Sequence, residues 1–197
     1  VCRKASKCKN LPNLDVEVVY FMEEMAKQAL LKKSKVVSIL GNHEIMNVQG
    51  DLRFVSDNDI ERIGGEDERK RLFQPGSDLC KLLSERPLIY KFNNYIFCHG
   101  GLSMSMLKNN SITEMNQQTK EWLLNKREIP EFLEKEDSPI WSRKFAFDMG
   151  SQSELDEILE TTNSEKLFVG HSVVDNIQSK YNNKFWLTDV GISSTFP

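Results

Sequence analysis

Apolar residues recur at helical spacing near the start of the chain. Leu14, Val18, Phe21, Met22, Met25 and Ala29 stand three and four apart, which predicts an amphipathic helix with that face inward. Asn13 is its expected N-cap, and Lys32, Lys33 and Lys35 place positive charge at its end. Val36-Val37-Ser38-Ile39-Leu40 is a β-branched run stopped by Gly41 and predicts a buried strand. Residues 50–76 are charged, carry Gly64-Gly65 and Pro75-Gly76 as breakers, and read as loop. A short helix is expected over residues 77–85. Leu88-Ile89-Tyr90 and Tyr95-Ile96-Phe97-Cys98 flank Asn93-Asn94 and read as a hairpin, because Asn tolerates positive φ. Residues 103–135 read as mostly helical and peripheral, with Trp122, Leu123 and Leu124 as the apolar contacts and Pro130 as an interruption, and residues 131–138 as a solvated acidic cap. A helix over 152–161 leads to a strand Lys166-Leu167-Phe168-Val169. A second hairpin, Ile177 to Tyr181 and Lys184 to Val190 around Asn182-Asn183, follows.

Composition narrows the class. The chain has 197 residues, 39% hydrophobic and 28% charged, with a net charge of −3. That suffices for one core, and no run approaches the ~18–20 apolar residues of a membrane helix, so no membrane partner is expected. The basic stripe of a nucleic-acid binder is missing as well. No repeat or linker divides the chain; residues 1–12 are expected to be a loose segment and 13–197 one domain. Cys2, Cys8, Cys80 and Cys98 are too sparse for a disulfide scaffold, so a reducing, cytoplasmic compartment is the expectation. No targeting signal can be read behind Val1.

The chemistry lies with the three histidines. His43 sits in Gly41-Asn42-His43-Glu44 after the run ending at Leu40. His99 sits in Cys98-His99-Gly100-Gly101 after Tyr95-Ile96-Phe97. His171 sits in Gly170-His171-Ser172 after Leu167-Phe168-Val169. Each follows a predicted strand at its carboxyl end and stands within two residues of a glycine. In α/β proteins that sheet edge is where ligands bind. Neutral imidazoles gathered there, with the Asn42 amide oxygen beside them, form a mixed N/O donor set suited to Mn, Fe or Zn rather than Ca. Taken singly, each histidine is also compatible with an ordinary hydrogen-bonded role.

Gly41-Asn42-His43-Glu44, Cys98-His99-Gly100-Gly101-Leu102 and Gly170-His171 resemble the later signature blocks of the calcineurin-like metallophosphoesterases, in their phosphoprotein phosphatase branch. The longer string from Gly41 to Arg53, the segment Pro139-Ile140-Trp141-Ser142-Arg143 and the stretch from Trp186 to Ser193 resemble the Shewanella-like protein phosphatases within it. The resemblance implies an α/β (α+β) fold, a metallophosphatase-like β-sandwich flanked by helices. It also implies two divalent metal ions (Mn, Fe or Zn), a phosphoprotein substrate and hydrolysis of phosphomonoesters by a metal-activated water. By the same resemblance Asn42, His99 and His171 match ligands of the second metal, and His43 matches the general acid for the leaving oxygen. Arg143 and Asn42 match contacts to the phosphate. An exposed Arg143 stacked on Trp141 is the alternative for that residue, and Arg53 is expected in a surface ion pair.

Two earlier family blocks, of the forms G-D-x-H-G and G-D-x-x-D-R-G, have no counterpart here. The only Gly-Asp is Gly50-Asp51, no His precedes His43, and Asp15 falls on the helical pattern. The domain is thus expected to be incomplete at its N-terminal side, the C-terminal part of a longer phosphatase, with little activity by itself. Two alternatives are an inactive relic or binding module of the same fold, and a phosphoesterase for nucleotides or small diesters.

Overall fold

The computed structural model describes residues 14–192; the expected loose segment 1–12, the Asn13 cap, Cys2 and Cys8 lie outside them. A long helix α1 (Leu14–Leu31) leads to the short helices α2 (Asn42–Val48), α3 (Asp57–Ile63), α4 (Glu66–Phe73) and α5 (Asp78–Leu83). A hairpin follows, β1 (Ile89–Phe92) and β2 (Tyr95–Cys98), then helices α6 (Met104–Asn109) and α7 (Ile112–Leu123) and a 3-10 turn at Glu131–Glu134. Helix α8 (Gln152–Thr161) feeds β3 (Lys166–Val169), and β4 (Gln178–Lys180) turns into β5 (Phe185–Leu187). The described strands form one five-stranded sheet in the order β1-β2-β3-β5-β4. Its centre is parallel, β2 with β3 and β3 with β5, and each edge is the antiparallel partner of its own hairpin. The mixed α/β class is the expected one.

Period-2 alternation divides the two sheet faces. Ile96, Cys98, Leu167, Val169, Phe185 and Leu187 point into the core, each 1% exposed or less. Leu79 and Leu83 of α5, Met115 and Leu123 of α7, and Leu155 and Ile158 of α8 belong to the same buried cluster. On the other face one aromatic row crosses four strands. Tyr90 lies opposite Phe97, Phe97 opposite Phe168 and Phe168 opposite Trp186. Their ring centroids are 6.4, 5.0 and 5.9 Å apart. Such cross-strand pairs fix register.

Both predicted hairpins, the helix at 152–161 and strand β3 form as the pattern indicates; Asn93 adopts φ 51° in the first turn. Four expectations are corrected. Val36–Leu40 is not a strand: among the described residues its one backbone hydrogen bond is Leu40 N–H to Pro87 O at 3.0 Å. A β-branched run favours extended backbone, yet a strand also needs a ladder partner, and none stands beside it among the described residues. Residues 50–76 are not a loop, since α3 and α4 lie there. Ser56 caps α3 by accepting the Asp59 N–H at 3.1 Å, and Gly64, at φ 101°, ends it. Helix α4 has acids in its first turn and bases in its last, matching the helix dipole.

Residues 103–135 are less peripheral than expected: besides the expected contacts Trp122 and Leu123, α7 also buries Met115 and Thr119. The acidic segment after them likewise buries Phe132 and Leu133 beneath its exposed carboxylates.

The fourth correction concerns which face of α1 is inward. Val16 and Val19 are buried, whereas Val18 is 53% and Phe21 61% exposed. Two ion pairs on the Val19 side set the rotation. Asp15 Oδ2 takes a hydrogen bond from Arg69 Nη2 at 2.5 Å, and Arg86 Nη2 reaches Glu23 Oε1 at 3.2 Å and Val19 O at 3.1 Å. Truncation tests this orientation. Val19→Ala is expected to cost about 1.5 kcal/mol or more in urea unfolding, and Phe21→Ala to stay within about 0.5 kcal/mol. The reverse ranking would refute the assigned face.

Candidate functional site

The parallel pairing of β2 with β3 sets Cys98 opposite Val169, so the residues that follow leave the sheet side by side. One more ladder bond, Gly170 N–H to His99 O at 2.9 Å, extends the pairing beyond the strands. His171 then adopts φ 60°, a left-handed conformation that few non-glycine residues take, inside a tight turn closed by Ser172 N–H to Gly170 O at 2.6 Å. The two imidazoles lie with centroids 4.8 Å apart and His171 Nδ1 3.1 Å from His99 Nε2. The same His99 nitrogen lies 2.7 Å from Asn42 Oδ1.

Asn42 begins α2 and is 3% exposed. Glu44 ties down the turn before it, accepting the Gly41 N–H at 2.8 Å. Burial pushes the Glu44 carboxyl up from its ordinary range, with that hydrogen bond and the Arg86 charge opposing. A Cβ on Gly41 would stand 3.0 Å from His99 Nδ1 and 3.1 Å from Glu44 Oε2, so glycine lets the turn approach the imidazole. Gly100 does the same for another segment. Its N–H donates to Pro139 O at 2.6 Å, and a Cβ would meet the Ser142 backbone at 3.0 Å. The loop carrying Trp141, Ser142 and Arg143 therefore lies against the His99 turn. Trp141 presents an edge-on contact to His171 at 5.9 Å.

Asn42, His99 and His171 are thus in direct contact. His43, next along α2, packs its ring 5.4 Å from Phe54, and Arg143 is exposed with its guanidinium 5.9 Å over the Phe147 ring rather than on Trp141. His43 and Arg143 both act electrostatically on the other two histidines. Arg143 also borders an open cavity of about 550 Å³ with Trp141, Phe147 and Met149. Arg53 makes the expected surface pair, with Asp51 at 2.7 Å.

The donor chemistry fits a cation. Asn42 Oδ1 is an acceptor only, so a neutral His99 must direct an N–H from Nε2 toward it. His171 Nδ1 then has to share that one proton. A positive ion among the three atoms satisfies all their lone pairs at once. The separations of 2.7 and 3.1 Å are close to the roughly 3 Å between neighbouring ligand atoms around a metal with about 2.1 Å bonds. The set is two imidazoles and an amide oxygen; among the described residues no group of three His, Cys, Asp or Glu is arranged to hold a metal.

Sequence reasoning passed over Asp189. It lies two residues beyond β5, at the sheet edge where His99 and His171 emerge, and its charge raises the pKa of His171 against burial and the charges of Arg143 and His43. Gly191 N–H donates to its Oδ1 at 3.0 Å. The strand-end argument applied to the histidines would have found it. Asn47 and Arg69, beneath His43, were also passed over.

A model of the calcineurin-like phosphoesterase family matches residues 7–175. Shewanella-like protein phosphatase 1 of Plasmodium berghei (strain Anka) is 30% identical over 193 residues, covering 89% of this chain and 53% of that protein. Shewanella-like protein phosphatase 2 of Arabidopsis thaliana is 23% identical over 230 residues, covering 91% and 59%. Among solved structures, the cold-active protein-tyrosine phosphatase of a psychrophilic Shewanella species superposes with a TM-score of 0.79 at 25% identity, covering 91% of this chain and 56% of that one. The chain spans about half the length of these relatives.

Burial, first, holds His99 down to about 3, with the charges of His171, His43 and Arg143 adding to it. Burial and then Arg143 and His43 hold His171 down to about 4. An unfolded chain takes up these protons near the ordinary value of 6.5, and the folded chain only near 3 and 4. Stability is therefore full above about 6.5 and falls as pH drops toward about 4. Urea midpoints of the metal-free protein at about pH 7 and about pH 4.5 should show this loss, and His99→Asn should reduce it. An equal loss in the variant would contradict the assignment.

Proposed function

The chain belongs to the calcineurin-like phosphoesterase family, and from that premise we propose that it serves the metal-dependent hydrolysis of phosphomonoesters on proteins. The observation that carries this reading is the meeting of Asn42 Oδ1, His99 Nε2 and His171 Nδ1 at the carboxyl edge of parallel strands. The names of the relatives, two protein phosphatases and a protein-tyrosine phosphatase, support phosphoserine, phosphothreonine or phosphotyrosine in a protein as substrate.

Asn42, His99 and His171 would hold one divalent ion, and a second ion would need donors beyond this trio. When bound, the metals (manganese, iron or zinc) supply Lewis acidity and a water of lowered pKa. The chain's own residues do the rest. Arg143 offers a planar fork of donors to the phosphate oxygens, and the Asn42 amide is a second contact to them. His43 gives a proton to the departing oxygen, which matters most for a poor leaving group such as a serine alkoxide. Trp141, against His171, keeps water from one side of the ring.

One observation favours a second reading, a binding module that keeps a single weak metal site. Among the described residues the two imidazoles have no third His, Cys, Asp or Glu arranged with them to hold a metal. Metal content after dialysis against Mn or Fe, together with 4-nitrophenyl phosphate turnover, separates the two. Stoichiometric metal with turnover supports the enzyme, and no uptake supports the module. In turnover-competent protein, His43→Ala is expected to lower kcat by about 10²–10⁴ with metal retained, and His171→Ala to lose metal. Full activity and full metal in both variants would overturn the roles.

A further inference from the structure

We propose that a buried hydrogen-bonded chain, Asp15–Arg69–Asn47, positions His43, so that Arg69 is a positioning residue for proton donation; this rests on His43 being the general acid. Arg69 of α4 is 1% exposed, the largest fully buried side chain among the described residues. Its guanidinium lies 5.0 Å over the Phe73 ring. The fork reaches in two directions. Nη2 donates to Asp15 Oδ2 of α1 at 2.5 Å, and Nε donates to Asn47 Oδ1 of α2 at 2.7 Å. Asn47 Nδ2 in turn donates to the His43 backbone carbonyl at 2.8 Å. Asp15, Arg69, Asn47 and His43 line one cavity of about 140 Å³.

Energetics argue that stability is not what this chain supplies. Burying a guanidinium and a carboxylate costs several kcal/mol per ion before their attraction is counted, and apolar replacements of such pairs are often neutral or stabilising. Here Arg69 Nη1 is also buried with no hydrogen-bond partner, which adds to the cost. Geometry is what the arrangement does supply. Lysine has no planar fork to reach α1 and α2 together. An amide at position 47 can accept from Arg69 and donate to His43 O, which neither Asp nor Leu can do. The link closes on the residue that carries the acid, in a helix of only seven residues. A misplacement near 1 Å at a reacting group costs about 10²-fold.

Two readouts test this. The first, on the metal-free chain, is amide hydrogen exchange. Arg69→Met, Asn47→Ala and the charge-free pair Asp15→Leu/Arg69→Met should each raise exchange in residues 42–48 about tenfold or more, with β2 and β3 unchanged. The second, on turnover-competent protein, is the ratio of kcat for phenyl phosphate to kcat for 4-nitrophenyl phosphate, since only the poorer leaving group needs a proton. The ratio should fall about tenfold in Arg69→Met, with metal content kept, remain low in Arg69→Lys, and fall no further in His43→Ala/Arg69→Met than in His43→Ala. A merely structural role would slow both substrates alike and leave the ratio in place. If Arg69→Met does not fold, Asn47→Ala carries both measurements. Unchanged exchange in residues 42–48, or an unmoved ratio where His43→Ala moves it, overturns the positioning role alone. A ratio unmoved by His43→Ala itself refutes the general acid.

Discussion

The parallel register of β2 and β3 is the constraint from which the site follows. With Cys98 facing Val169, His99 and His171 leave neighbouring strands at the same edge. A slip of one residue would exchange the two faces of a strand, bringing Phe97 or Phe168 into the core and parting the imidazoles. The core face itself forbids that slip, since it would also turn Lys166 inward, but it does not forbid a slip of two residues, because Ile96, Cys98, Leu167 and Val169 are interchangeable apolar groups. The aromatic row does. Tyr90, Phe97, Phe168 and Trp186 meet only when all four strands are aligned as observed. Phe97 stacks on Phe168 with planes 16° apart. Packing on one face of the sheet thereby determines the chemistry at its end.

Desolvation ties the same strands to the state of the site. Both imidazoles are kept in the neutral form, the form with lone pairs to give a metal. The effect is not selective for useful groups. Burial also raises the Cys98 thiol, one residue before His99, far above its ordinary range, and so makes it a core residue rather than a nucleophile. Backbone close approach completes the arrangement. Gly41 and Gly100 let the α2 turn and the Trp141–Arg143 loop reach His99 from different directions.

Local signals were legible in the sequence and distant ones were not. Asn93-Asn94 marked the first hairpin, and a capping pair of Ser151 and Glu154 opens α8 where the helical pattern begins. The edge cluster was legible because each histidine follows an apolar run and has a glycine nearby. By contrast, the face of α1 depends on Arg69 and Arg86, 54 and 67 residues from their α1 partners Asp15 and Val19. The hydrophobic pattern of one helix contains no trace of an ion pair with another. Helices α3 and α4 were hidden by composition. Their charge reads as loop until the Ser56 cap, the Gly64 terminator and the dipole-matched order of acids and bases are weighed together. Val36–Leu40 shows the opposite error, a local preference taken for a pairing.

Charge bears on what this edge can hold. Asn42, His99 and His171 are neutral donors, so a divalent ion among them keeps nearly its full charge, and Arg143 adds another positive group within electrostatic reach. Among the described residues, Asp189 is the carboxylate whose charge is felt at His171. A neutral donor set next to an arginine is a poor cage for a cation alone. It becomes a good one when a phosphate dianion lies between them, because the anion screens the ion from the arginine and satisfies both. Metal and phosphate then strengthen each other's binding by the same factor, as linkage requires. A catalyst of phosphate transfer gains from that coupling in a way that a metal store does not. On the proposed reading, then, charge suits the trio to a site that would hold its metal together with a phosphate rather than to one that would retain metal alone.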